Sequence, residues 1–176
     1  SVCNAIETCL IDRTIAEQTL RELLPAMAPH HVRLHCCDDS YQLAQQIART
    51  DGTESTWATG LKRASETDFN TEYLDLDLNI KVVDNIETAL RHIERFGSHH
   101  SEAIITENES IARQFQREVD AACAYWNAST RFTDGFELGL GGEIGISTQK
   151  LHVRGPVGLK ELMSIRWLID GDGQVR

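Results

Sequence analysis

The sequence predicts an α/β fold in which a mostly parallel sheet is flanked by helices. Two observations carry that expectation. Along most of the chain, short apolar or alternating runs are separated by longer amphipathic ones, the pattern of strands joined by crossover helices. The stretch Tyr125–Gly158 then breaks the pattern, holding seven of the twelve glycines among Ser, Thr, Arg and acidic residues. A long polar loop in a compact domain is usually functional or disordered. Phe132, Phe136, Leu138, Leu140, Ile144 and Ile146 are spaced through this one, which argues for an ordered loop lining a site.

Taken in order, Asn4–Thr8 predicts a short helical piece and Cys9–Asp12 a strand. Ile15, Leu20, Leu23, Leu24 and Met27 share one face of a helix over Ile15–Met27, which Pro25 and Pro29 should end or kink. Val32–Cys36 alternates as a strand, and Ser40 is placed to cap a helix over Tyr41–Ala48. Thr50–Asn70 is polar and weakly periodic, a loop with room for one helical turn. Tyr73–Val83 alternates and is the clearest strand. Asn85 caps a helix to Phe96 that Gly97 ends. Ala103–Thr106 reads as a buried strand, Asn108–Val119 as a helix and Ala121–Trp126 as a strand. Beyond the loop come a short helix at Leu159–Met163 and a final strand, Ser164–Asp170. Ligands of such sheets gather beyond the carboxyl ends of the strands, and the loop after Trp126 leaves from one of those ends.

Composition narrows the function classes. A chain of 176 residues suits one core, and 41% hydrophobic with 25% charged residues is ordinary for a globular domain. The net charge of −10, with no basic stripe, speaks against a nucleic-acid partner. No apolar run reaches membrane-spanning length and the N-terminus lacks signal-peptide character, so a cytoplasmic location with no membrane partner is expected. The cysteines (Cys3, Cys9, Cys36, Cys37, Cys123) are odd in number with one adjacent pair, which fits a reducing compartment rather than a disulfide framework. Neither His35-Cys36-Cys37 nor His99-His100 has zinc-ligand spacing, so no metal is expected. GxxxxGK[ST] is absent, and Gly139–Ile144 fails GxGxxG at its last position. A nicotinamide cofactor would therefore find its main binding domain outside this chain.

Two distant segments carry a resemblance. Val2-Cys3-Asn4-Ala5-Ile6-Glu7-Thr8 is similar to the catalytic cysteine motif of γ-glutamyl phosphate reductases, also called glutamate-5-semialdehyde dehydrogenases. The loop from Asn127 to Leu159 resembles that family's NASTRFTDG…EIGIST.K.H.RGP.GL segment. Thr71–Leu76 and Phe96–Ile104 also resemble family segments in the expected order. The resemblance implies an aldehyde dehydrogenase-like catalytic domain over 1–163. Residues 164–176 would then be an oligomerisation strand and tail, and the chain an excised C-terminal half without its NADP-binding domain. It further implies an NADPH-dependent reduction of L-glutamyl 5-phosphate in proline biosynthesis, a homo-oligomeric full-length enzyme and a functional link to glutamate 5-kinase. The isolated chain is expected to be inactive. The alternatives are an aldehyde dehydrogenase acting on another acyl donor and a non-catalytic binding or assembly module.

In that reading Cys3 is the nucleophile, its pKa lowered by the N-terminus of the helical piece that follows it. The Cys3 and Asn4 backbone N–H groups would stabilise the oxyanion. The other four cysteines would pack as small hydrophobes. Glu72 occupies the place of the glutamate that bonds the nicotinamide ribose in aldehyde dehydrogenases. Asn127, Ser129, Thr130 and Arg131 fall where related enzymes anchor the amino-acid end of the substrate. Arg131 would offer a two-pronged fork to a carboxylate, unless it pairs with Asp134 or Glu137 to hold the loop. His100 and Arg154 would help receive phosphate.

Overall fold

A computed structural model describes residues 2–51, 57 and 60–176. Four strands pair in parallel in the order β1-β4-β2-β3, with β1 at Thr8–Asp12, β2 at Arg33–Cys36, β3 at Leu61–Arg63 and β4 at Asp77–Val83. The longest, β4, is interior, and its side chains alternate between two covered faces. Leu78, Ile80 and Val82 join Ile11, Leu34 and Cys36 on one face. Against them lie α1 (Ala16–Met27) and α2 (Asp38–Asp51), which contribute Leu20, Leu24, Ala44, Ile47 and Ala48. Each fully buried leucine there contributes about 2 kcal/mol by leaving water.

Asn79 and Lys81 alternate onto the opposite face of β4. Asn79 Nδ2 donates to the Asp68 carbonyl at 3.0 Å, and the Lys81 ammonium lies 5.3 Å from the centre of the Phe69 ring. These partners belong to α3 (Glu66–Phe69), whose Phe69 meets His92 and Phe96 of α4 (Ile86–Phe96). Helices therefore cover both faces.

A second parallel pair, β5 (Ser101–Ile104) with β6 (Cys123–Trp126), is joined through α5 (Glu109–Glu118), which buries Ala112 and Phe115. Parallel pairing is thus divided between two sheets. Asn85 caps α4 as expected, and Asn108 caps α5, each accepting through Oδ1 from the backbone N–H three residues on. Inside the glycine-rich stretch, β7 (Gly145–Ser147) pairs antiparallel with β8 (Gly155–Val157). No helix among the described residues is long and apolar enough to cross a membrane.

Several expectations change. Asn4–Thr8 is not helical: a turn closed by Ala5 N to the Val2 carbonyl at 2.9 Å gives way to extended backbone. Glu7 O accepts from Asn79 N at 2.8 Å and Thr8 pairs with Asn79 in the β1–β4 ladder, so sheet pairing claims the residues a helix would need. Ser40 does not cap its helix. Tyr41 N already donates to Cys37 O at 2.8 Å, and the fully buried Ser40 Oγ donates to the Ile80 carbonyl at 2.9 Å, tying α2 to β4. The expected loop Thr50–Asn70 holds β3, too short to show periodicity, as well as its helical turn, α3. Residues 52–56, 58 and 59 of that loop, and Ser1, lie outside the described residues. Leu159–Met163 is reduced to a 3₁₀ turn at Lys160–Leu162. Ser164–Asp170 is exposed and unpaired, because no strand among the described residues lies beside it to take its backbone hydrogen bonds.

Candidate active site

Cys3 sits with its thiol exposed on the Val2–Ala5 turn. With no helix following, the expected help from a helix N-terminus drops out. What the turn has instead is an anchor. Asn4 is buried, its Nδ2 donating to the Thr133 carbonyl at 2.8 Å. Its own carbonyl accepts from Thr130 Oγ1 at 2.6 Å, and its Oδ1 accepts from Arg131 Nη1. Three residues of the polar loop thus grip the residue next to Cys3. The Arg131 guanidinium pairs with neither Asp134 nor Glu137; Asp134 Oδ1 accepts from the Phe136 and Glu137 amides and holds its own turn.

The remaining predicted residues divide. Ser129 Oγ accepts from Arg131 N at 3.2 Å, capping the 3₁₀ turn Thr130–Phe132 that presents Thr130 and Arg131. Asn127, at φ +52°, spends its side chain on Thr106: Nδ2 donates to the Thr106 carbonyl and Oδ1 accepts from its amide, both at 2.9 Å. Asn127 therefore fastens the loop's exit from β6 and is not brought to the Cys3 turn by these bonds. Glu72 is exposed on the segment before β4. That segment is tied to the cysteine motif, because Glu7 Oε1 accepts from Tyr73 N at 3.0 Å. Burial pushes the Glu7 carboxyl up, backbone donation from Tyr73 and Leu74 pulls it back, and the Glu72 charge raises it further.

His100 is linked to the same assembly by hydroxyls. Its Nδ1 lies 2.8 Å from Ser101 Oγ, which lies 2.6 Å from Thr133 Oγ1. The Tyr125 hydroxyl is 2.8 Å from Thr133 Oγ1. Thr133, fully buried, therefore holds His100 through its side chain and Asn4 through its backbone. Ser101, Tyr125 and Thr133, with the Asn4 side chain, are the residues that sequence reasoning missed. Nothing in their spacing marks them, since a loop threonine and two strand hydroxyls become partners only when the loop folds back.

That fold-back also relocates the site. Cys3 and Asn4 precede β1, Glu72 precedes β4 and His100 precedes β5, so these candidates stand at the amino ends of their strands. The loop does leave the carboxyl end of β6, but Thr130 and Thr133 return to the amino-end residues Asn4 and Ser101. Further along, Gly135 N donates to Glu143 Oε2 at 2.8 Å. A Cβ at Gly135 would stand 2.5 Å from the Gly142 carbonyl, so the loop closes only on glycine.

Arg154 Nη1 donates to Asp120 Oδ1 at 2.7 Å, and Lys150 Nζ lies 2.5 Å from Asp120 Oδ2. These two cations hold the Asp120 carboxyl down at about 2 and bind the β7–β8 segment to the start of β6. Glu94, His99 and Asp120 bring ligand atoms within 4.8 Å of one another. The Asp120 oxygens are already occupied by Lys150 and Arg154, so the group reads as an ion-pair cluster. Away from the site, burial pushes the Cys36 thiol up to about 12 and raises that of Cys9, which leaves both poor nucleophiles.

No family model matches the chain. Individual proteins do. The γ-glutamyl phosphate reductase of Wolinella succinogenes is 50% identical over the full 176 residues, and that of Agathobacter rectalis is 48% identical over the same span. The crystal structure of γ-glutamyl phosphate reductase from Thermotoga maritima superposes with a TM-score of 0.83 at 42% identity, covering 99% of the chain. The chain is homologous throughout to γ-glutamyl phosphate reductases. It spans 39% of the length of the Wolinella and Thermotoga proteins. An acetylating aldehyde dehydrogenase from Geobacillus thermoglucosidasius, 17% identical with a TM-score of 0.68, shares the fold.

Proposed function

We propose that this chain is the cysteine-bearing catalytic part of an NADP(H)-dependent reductase that converts L-glutamyl 5-phosphate to L-glutamate 5-semialdehyde and phosphate. The observation that carries the reading is the exposed Cys3 on a turn gripped by Thr130, Arg131 and Thr133, in a chain homologous to that enzyme over its whole length.

The Cys3 thiolate attacks the acyl carbon, a C–S bond forms, and the C–O bond to phosphate breaks as phosphate leaves. Cys3 then carries a thioester. Reduced nicotinamide, when bound, would supply the hydride that takes this acyl group to the aldehyde level; the C–S bond then breaks, and Cys3 leaves as the thiolate as the semialdehyde is released. Among the residues present, the exposed Glu72 carboxylate fits a ribose hydroxyl. Asn4, Thr130 and Thr133 hold the turn so that Cys3 meets the acyl carbon in one geometry, which is where much of an enzyme's rate advantage lies. Asn4 and Arg131 stand next to the nucleophile, where the charged amino-acid end of the substrate would find a guanidinium donor. His100, with a buried Nε2, is suited to the anionic oxygens. The main cofactor-binding portion would lie in the length of the relatives that this chain does not span, so the isolated chain is inactive. In the same reading residues 164–176 supply a strand to an oligomer, and a glutamate 5-kinase supplies the acyl phosphate.

The test is a full-length protein containing this chain, assayed in reverse by NADP⁺ reduction with glutamate 5-semialdehyde, with and without phosphate. Phosphate-dependent turnover that drops at least about a thousandfold in Cys3→Ser is expected. Turnover without phosphate would point to an ordinary aldehyde dehydrogenase. Undiminished activity in Cys3→Ser would remove the thioester, and an intact protein with no activity would favour a binding module.

A further inference from the structure

His100 Nε2 is buried and has no hydrogen-bond partner among the described residues. A buried polar nitrogen in that state asks for a partner supplied from outside. What such a partner must be depends on whether Nε2 carries the proton, and the hydroxyls behind Nδ1 decide that.

Ser101 Oγ and Thr133 Oγ1 each have one proton and sit between two partners, so both protons are used within the chain only when each donates once and accepts once. The chain of bonds His100–Ser101–Thr133–Tyr125 must therefore run in a single direction. Its far end sets which. A phenol is a stronger donor and a weaker acceptor than an aliphatic hydroxyl. Tyr125 therefore makes the stronger bond by donating to Thr133 Oγ1. Thr133 then donates to Ser101, and Ser101 donates to His100 Nδ1. An imidazole that accepts at Nδ1 and is neutral carries its proton on Nε2. Neutrality is favoured by burial, which lowers the His100 pKa against the opposing pull of the Glu143 and Glu72 charges.

We propose that Tyr125, Thr133 and Ser101 are positioning residues, a one-way hydroxyl relay that fixes the His100 proton on Nε2 and makes that atom a donor to an anionic oxygen. Resting on the function proposed above, the oxygen belongs to the phosphate that the acyl substrate releases, with inorganic phosphate as the probe. His99, at φ +60°, directly precedes His100, and its Nδ1 is fixed to the Asp120 carbonyl at 2.7 Å. The backbone on that side of the imidazole is thus also pinned.

The first readout is the His100 tautomer, taken from nitrogen-15 NMR of the histidine-labelled chain. The expected result is an unprotonated Nδ1 and a protonated Nε2. Thr133→Val should move both nitrogens toward the average of the two tautomers, and Thr133→Ser should keep the wild-type signals. Tyr125→Phe removes only the terminal hydroxyl and serves if the buried Thr133→Val change unfolds the chain; it too should lose the single tautomer. In the full-length reductase, Thr133→Val and Tyr125→Phe should raise the KM for phosphate about tenfold with little change in the KM for the aldehyde. Thr133→Ser should restore it. A protonated Nδ1 in wild type, or an unchanged tautomer in both disruptive variants, overturns the relay. A wild-type enzyme with no phosphate-dependent turnover would instead overturn the substrate reading and leave the tautomer to decide the relay alone.

Discussion

At the scale of single residues, burial decides which groups keep ordinary chemistry. His92 is the clearest case. It lies under α4 against the Phe69 and Phe96 rings, 4.9 and 4.6 Å between ring centres, with Lys81 and Arg95 adding positive charge nearby. Desolvation first, and those cations second, push its pKa down to about 4. The unfolded chain binds this proton near 6.5, before the native state does, so the neutral imidazole's contribution is complete above that pH. It is lost as pH falls from about 6.5 toward 4, by at most about 3 kcal/mol. His92→Phe should therefore flatten the stability profile between those limits when urea midpoints are measured across pH. An unchanged slope would mean that other groups dominate acid sensitivity. Cys3 teaches the converse lesson. The helix expected to follow it is not formed, because Glu7 and Thr8 have a better use beside and in the β1–β4 ladder.

At the scale of elements, local signals succeeded where one residue's side chain completes them. Asn85 and Asn108 marked the starts of α4 and α5 because each cap is closed within three residues. Tyr73–Val83 was recognised as a strand, although only Asp77–Val83 is paired. The misses have a common cause: β3, β7 and β8 have three residues each, too few to show a period. The loop's apolar spacing did signal order, but the grip on Asn4 rests on polar bonds that periodicity cannot encode. The β7–β8 segment is held to β6 through Asp120, Lys150 and Arg154, which gives a test at this scale. Asp120→Asn should speed hydrogen exchange of the segment, reported by the Ile144 amide that donates to Val157 O, while leaving α1 and α2 protected. In the wild type the same loosening should come only as pH falls through the ordinary carboxylate range toward about 2. Equal exchange rates in the two proteins would assign the anchoring to other contacts.

At the scale of the whole molecule, the two helix-covered faces of the four-stranded sheet form a complete core, whereas the C-terminal tail has none. Ile165, Trp167, Leu168 and Ile169 are 75–87% exposed in a run of unpaired backbone. Such a segment offers both a hydrogen-bonding edge and apolar side chains to another chain. The isolated chain should accordingly self-associate with rising concentration. Trp167→Ser combined with Ile169→Ser should shift it to a monomer by light scattering, without changing the core's thermal midpoint by more than about 2 °C. A wild type that stays monomeric at high concentration would remove this role from the tail. The fold class was readable because alternation of strands and helices is a local property repeated along the chain. The split into two sheets and the amino-end position of the candidate residues were not, since both depend on where the loop returns.

The grip on Asn4 also has a consequence in time. Its bonds join residues 126 to 129 positions apart, and contacts of such separation form late because a long loop must close first. Synthesis runs from Cys3 toward Thr133, so the setting of the thiol is not complete until Thr133 has emerged. In that interval the thiol is present without its surroundings. The polar loop made later is what turns an ordinary cysteine into a placed one.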